Sequence, residues 1–437
     1  MVDHTLGVTS LSVFAACLLG WGLVAARMDR WHVTAPMAFV VLGLMVTHGP
    51  LGFVHLSLHS STIRTLAEIA LALVLFSDAS RVNVRALAAD AAIPARLLCI
   101  GLPLTIAAGS LVAWALFPAG GLWLAAALGA IVAPTDAALG AAIMSDERVP
   151  ARVRRVLNVE SGLNDGIATP FVNLFLAGAL AAESLSAGGI GKAVVDLLGG
   201  AGIGAGVGLL GGILLHWATR AGWSGPGFRP LAVLALAVLA YALALLTHTN
   251  GFVAAFVGGI AFGSISSKAD DQLEFTEGVG TLLTLVVWFA FGAVMLVPGL
   301  EGAGWRALLF AVLALSIVRM APVALSLVGS GLDRVTVSFL GWFGPRGLAS
   351  VVFGLIAADS LAPEDAKVVL GAVVVTVALS VLAHGASAAP LAGRYGAYAK
   401  ALHPGLPEHA AAPRLSLRTL KADGRSVRGA AEPSRGP

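Results

Sequence analysis

Charge is in short supply in this sequence. Only 12% of its 437 residues are Asp, Glu, Lys or Arg, against roughly 25% in a soluble globular domain, which excludes a water-solvated fold. Cysteine is scarcer still. The only two, Cys17 and Cys99, fall inside apolar runs, which argues against a disulfide framework and leaves too few thiols for a structural zinc site. No Lys or Arg precedes Arg27, so the first apolar run lacks the basic region of a cleavable signal and is expected to persist as a span. Apolar residues fill the space left: 58% of the chain is hydrophobic, 53 residues are Gly, and mean hydropathy is +0.89. Runs of roughly 20 apolar residues recur from end to end, each long enough to cross a hydrocarbon core of about 30 Å. The glycines let helix backbones approach closely in lipid. The fold class is an all-α polytopic membrane protein.

Thirteen spans are predicted, near 8–26, 34–48, 63–80, 94–117, 121–145, 155–182, 190–218, 229–247, 252–266, 278–299, 305–329, 335–358 and 366–389. Those at 34–48 and 252–266 are short for a full crossing. Lys and Arg collect in cytoplasmic loops. Loops after odd-numbered spans hold thirteen of them, from Arg27 to Arg334, whereas the other face has only Arg64, Lys192, Arg306 and Lys367. The N-terminus is therefore expected outside and the C-terminus in the cytoplasm. Two domains follow: 1–392 spans the membrane, and 393–437 is a basic cytoplasmic tail. The tail is rich in Ala, Pro and Arg, lacks periodicity and reads as disordered, either lying against anionic headgroups or simply solvated.

Some charges lie inside the spans, where each costs about 2.5–3.5 kcal/mol on insertion scales unless it is paired or lines a cavity. In "IVAPTDAALG", Pro134 has no N–H and is expected to break the fifth span. The freed carbonyls, Thr135 and Asp136 are hard oxygen ligands for a small cation, unless Asp136 only caps the new half-helix. In "NVESGLNDGIATP" of the sixth span, Glu160 and Asn164 share one helix face, as do Ser161 and Asp165. Burial raises a carboxylate's pKa and a nearby cation lowers it, so a carboxylate here holds a proton or a metal ion, but not both well. Arg319, in "IVRMAP", and Arg346, in "WFGPRGLAS" behind a second Pro break, stay protonated and need anionic partners. Glu160 is the best candidate. If spans 1–6 and 8–13 are inverted repeats, the two broken spans occupy matching positions, the usual pointer to a midplane ion site in transporters.

Other features read as structural. "GVGLLG" (206–211) has dinucleotide-fingerprint spacing but lies in an apolar span with no preceding strand, so helix packing explains it. His384 suits either a pH sensor or a hydrogen-bonded structural role, and Glu68 and Asp359 sit at span ends. No repeated filter motif supports a channel.

"PTD" at Pro134–Asp136, "ESGLNDG" at Glu160–Gly166, Arg319, the "RG" at Arg346–Gly347 and "LSVLAHG" at Leu379–Gly385 resemble the cation:proton antiporter superfamily. Within it, the chain is most similar to the sodium/proton antiporters of the NhaP type and their eukaryotic exchanger relatives, over about 8–392. The resemblance implies 13 helices in two inverted repeats with discontinuous crossed helices. It implies a secondary active antiporter, not an enzyme, that exchanges Na+ (or K+ or Li+) for H+ across the cell membrane by alternating access. Asp165 would carry ion and proton, with Na+ held by Asp165, Asp136, Thr135 and Ser161. Asn164 would be the neutral member of an Asn–Asp pair, which goes with electroneutral exchange. Asp78 stands in the third span where relatives carry an acidic residue, more often Glu. Glu160 would form a structural pair with Arg319 first or Arg346 second. A homodimer in the lipid bilayer, with no cofactor and no nucleic acid, completes the implied picture.

Overall fold

The structure, a computed structural model, describes residues 2–31, 33–48, 61–81, 92–184, 189–265 and 269–410. Of the features counted above, Arg85, Lys268 and the tail from 411 to 437 lie outside the described residues. Among those described every regular element is helical. The first half comprises α1 (Val2–Arg30), α2 (Ala35–His48), α3 (Ser61–Ser80), α4 (Ala92–Leu116), α5 (Gly121–Ile131), α6 (Ala141–Met144) and α7 (Ala151–Ser184). Then follow α8 (Gly189–Arg220), α9 (Arg229–Leu246), α10 (Gly251–Ile265) and α11, which starts as Ala269–Ala290 and continues through Leu296–Glu301. The last are α12 (Trp305–Leu315), α13 (Ile317–Ser326), α14 (Arg334–Trp342), α15 (Leu348–Ser360) and α16 (Pro363–Lys400).

Eight of these helical stretches are long and apolar enough to cross a membrane, and α2, α5, α10 and α15 are shorter apolar helices. With α3, every expected span has a helical counterpart. The fifth span is interrupted between α5 and α6, and the twelfth between α14 and α15, as the prolines require. The eleventh, for which the sequence marks no break, is interrupted at Ser316, between α12 and α13. Pro322 lies one and a half turns further on, so the break is not a simple proline kink. It leaves Ala314 O facing a buried guanidinium, described below. At the other end, the boundary drawn at 392 falls inside α16. Ala388, Ala392, Tyr395 and Ala399 stay buried along one face, so helical packing carries past Gly393 and Arg394 to Lys400. Residues up to 410 are held too: Asp333 N donates to buried Glu408 at 2.7 Å and Arg152 Nη1 to Pro407 O at 2.7 Å.

Packing divides the helices into two groups. α2, α3, α9, α10 and α11 pack together, while α4, α5, α7 and α12 to α16 form a second group. α8 leans on α9 and α10 on one side and on α7 on the other. Its buried Gly200, Gly204, Gly208 and Gly212 recur every four residues, and a Cβ at Gly204 or Gly208 would collide with the carbonyl oxygens of Ala254 or Gly258 in α10. Close backbone approach is what small-residue stripes provide in lipid, and it accounts for Gly208 of the "GVGLLG" stretch, while Gly211 packs on Leu236 and Gly206 meets nothing within 4 Å. The groups meet where α11 and α2 touch α16, where α3 and α11 touch α15 and where α3 and α10 touch α7, so α7 is one of the helices at their junction.

Candidate functional site

The two helix breaks lie against each other. Asp136 N donates to Pro345 O at 2.7 Å and Ser350 Oγ to Ile131 O at 2.7 Å. Asp136 spends its carboxylate here: Oδ2 accepts from Leu348 N at 2.9 Å, at the start of α15, and Oδ1 from Ala138 N at 2.7 Å and Leu139 N at 3.3 Å. A carboxylate at a helix N-terminus meets the positive end of the dipole. Arg346 is the reverse case. Its Nη1 donates to Ala133 O at 2.5 Å and Pro134 O at 3.3 Å, and its Nη2 to Ala314 O at 3.3 Å. These carbonyls end α5 and α12, and a helix C-terminus carries about half a negative charge. The fully buried guanidinium thus donates to two helix ends, while the Glu160 carboxylate pairs with Arg319. Gly344 and Gly347 make the crossing possible, since a Cβ on Gly347 would overlap the Asp136 carboxylate and one on Gly344 would press on Arg319 and Thr135.

Beside the crossing, α7 presents a buried polar face. Asn164 Nδ2 donates to Thr135 Oγ1 at 2.6 Å, and Thr135 Oγ1 lies 3.1 Å from Ser161 Oγ. Asn164 thereby points its amide at the α5–α6 break, and its buried Oδ1 takes no hydrogen bond. Asp165 follows one turn after Ser161 and is 7% exposed. Asp78 on α3 faces the same turn, its carboxyl carbon 3.8 Å from where a Cβ on Gly162 would stand. Glu160 turns away and pairs with Arg319, Oε1 to Nη1 2.6 Å, both nearly sealed from solvent.

Thr135, Ser161 and Asn164 are therefore brought together directly, with Asp165 on the neighbouring turn of α7 and Asp78 facing Gly162 from α3. Asp136 departs from the expected ligand set, because backbone amides of the crossing occupy its carboxylate. Three contributors lie inside stretches quoted above but carry no role of their own in the sequence reading. Ser350 ties α15 to the end of α5. Thr169 Oγ1 donates to Asp165 O at 2.8 Å. Ser380 Oγ accepts Arg346 N–H at 2.7 Å. Hydroxyls in apolar spans bond the preceding turn so commonly that nothing local marks these three. Chemically, the cluster offers the Asp165 carboxylate and several neutral oxygens, with the Asp78 carboxylate beside it on α3. Among the described residues no group of three or more His, Cys, Asp or Glu could hold a metal ion.

The sequence pattern of the sodium/hydrogen exchanger transmembrane family matches residues 13–393. The chain belongs to the sodium/hydrogen exchanger family. It is accordingly a multi-pass membrane transporter. Similar proteins include the Na(+)/H(+) antiporter NhaH of Halobacillus dabanensis, 28% identical over 61% of this chain and 67% of its own length. A probable Na(+)/H(+) antiporter of Schizosaccharomyces pombe is 26% identical over 54% of this chain and 33% of its own. An uncharacterized Na(+)/H(+) exchanger of Mycobacterium bovis is 30% identical over 60% and 53%. The match thus spans a third to two thirds of these relatives. Among solved structures, the sodium proton antiporter MjNhaP1 of Methanocaldococcus jannaschii superposes with a TM-score of 0.71. It is 21% identical, over 90% of this chain and 99% of that one, so the exchanger has the NhaP fold.

Proposed function

We propose that this exchanger swaps a monovalent alkali cation, Na+ foremost, for a proton at Asp165. One observation supports this above the rest. A buried carboxylate stands one turn from three neutral oxygen-bearing side chains that converge on a helix break. Ser161 Oγ, Thr135 Oγ1 and the unengaged Asn164 Oδ1 would replace part of a cation's hydration shell beside Asp165, with Asp78 opposite. Asp136 is assigned to holding the crossing, not to the ion shell.

Exchange follows from competition. An ionised carboxylate is expensive to carry through a low-dielectric interior, so the site holding neither cation nor proton cannot change sides cheaply. Either occupant neutralises it. Each leaves the site with the same charge, because Asn164 adds none, so one cation moves per proton and the cycle is electroneutral. The two groups of helices supply the moving parts for alternating access, with α7 at their junction. Basic residues concentrated on one set of loops support a cytoplasmic C-terminus and an outside N-terminus in the cell membrane, and we assign the working unit as a homodimer.

Dequenching of a pH-sensitive dye in proteoliposomes tests the reading, with NaCl, KCl and LiCl added in turn. The wild type is expected to move protons against at least one of them, without response to an imposed membrane potential, and Asp165→Asn is expected to move none. Undiminished exchange by Asp165→Asn would sink the proposal. Competition also requires the apparent KM for the cation to fall as pH rises, by up to about tenfold per unit while protons hold the site.

A further inference from the structure

α16 turns Ser380, His384 and Ser387 toward the break between α14 and α15. Trp342, the last residue of α14, donates from Nε1 to Ser387 Oγ at 3.0 Å, and its ring centroid lies 5.3 Å from that of His384. The His384 ring is buried, with Nε2 at 2.9 Å from Trp342 O. Its Nδ1 lies 3.2 Å from Ser380 Oγ and 2.9 Å from Ser380 O. Trp342 O and Ser380 O can only accept, so the neutral ring donates to one of them at a time; with the proton on Nε2 it bonds Trp342 O and leaves Nδ1 as an acceptor. Ser380 then donates its hydroxyl proton to Nδ1 while its oxygen accepts Arg346 N–H. A relay of Arg346 N–H, Ser380 O–H, His384 and Trp342 O bridges the gap in the helix. The charged groups acting on the ring are Arg346 and Arg319.

The relay reaches the cation cluster. Arg346 clamps Ala133 O and Pro134 O, the two carbonyls before Thr135, and Thr135 Oγ1 meets Ser161 and Asn164. We propose that His384 is a positioning residue for the cation site, fixing both edges of the α14–α15 break and, through Arg346, the Pro134–Thr135 backbone. This rests on the exchange reading given above. The role needs one donor and one acceptor at fixed separation, not a titrating ring, so a carboxamide can fill it.

Two measurements on purified full-length protein test this: alkali-cation KM and pH profile in proteoliposomes, and the rise in Tm that NaCl, KCl or LiCl confers in detergent. Wild type and Asp165→Asn first decide whether exchange occurs at Asp165 at all, and the Tm response reports cation binding independently of that. For His384→Leu, which leaves Trp342 O with only the Gly344 N–H, the apparent KM is expected to rise about tenfold and the Tm rise at a given cation concentration to shrink. His384→Gln is expected within about threefold of wild type, because its amide restores both bonds, with an unchanged pH profile. Where His384→Leu does not fold, Ser380→Ala, which removes only the hydroxyl relay, is expected to raise KM in the same direction. A wild-type KM in folded His384→Leu, or in Ser380→Ala where that stands in, overturns the proposal. So does a Gln variant as impaired as Leu, or one whose pH profile shifts.

Discussion

Two oppositely charged groups sealed in apolar surroundings depend on each other far more than a surface pair does. Glu160 and Arg319 are 2.6 Å apart and almost fully buried, and removing one partner of such a pair costs about 3–5 kcal/mol. Arg319→Met or Glu160→Gln is therefore expected to lower Tm in detergent sharply. The double variant is expected to recover much of that loss, because no charge is left stranded. Two equal and additive losses would show that the pair contributes nothing jointly. Asn164 tests the charge count. Asn164→Asp would add a further carboxylate next to Asp165, and its exchange is expected to respond to an imposed membrane potential where that of the wild type is expected not to. At this scale the chain was readable wherever burying a charge is costly, which is why Glu160, Asp165, Arg319 and Arg346 stand out in it. What those charges turn toward was less readable. Arg346 faces carbonyls and Asp136 faces amides, and backbone groups carry no letter in a sequence.

Broken helices show the same asymmetry between cause and consequence. Pro134 and the Gly344–Pro345 step announce two interruptions through a missing N–H and a ring that clashes with the preceding turn. The break at Ser316 has no such mark, since its freed carbonyl finds a partner only after Arg346 arrives from a distant helix. The pairing of the two breaks depends on glycine at one close approach: at Gly347 a Cβ would fall on the Asp136 carboxylate. Gly347→Ala is expected to push Asp136 off Leu348 N and cut exchange at least tenfold, of the order that one misplaced, unpaired buried group costs. Normal turnover in a folded Gly347→Ala protein would mean that the crossing tolerates a looser fit than its contacts imply. In α8, by contrast, Gly204 and Gly208 serve packing alone, so Gly208→Val is expected to lower Tm by prising α8 from α10.

At the level of the whole molecule, the question is which contacts between the two helix groups must yield during a transport cycle. Arg64 on α3 pairs with Asp359 near the end of α15, and it also reaches Glu68, which accepts from Tyr241 of α9 at 2.7 Å. This tie joins the groups at a distance from the crossing. Both Arg64 and Asp359 are more than a third exposed, and such pairs are worth only about 0–1 kcal/mol. Glu160–Arg319 and the Asp136–Leu348 contact lie within the second group and are buried, so motion between groups leaves them intact. The weak tie is the one placed to open. Arg64→Ala is therefore expected to change turnover by no more than about fivefold, the factor that 1 kcal/mol represents, with no change in the apparent KM for the cation. A loss of exchange as complete as in Asp165→Asn would show instead that this outlying pair governs the cycle, and that the groups are coupled at their edge rather than along α7.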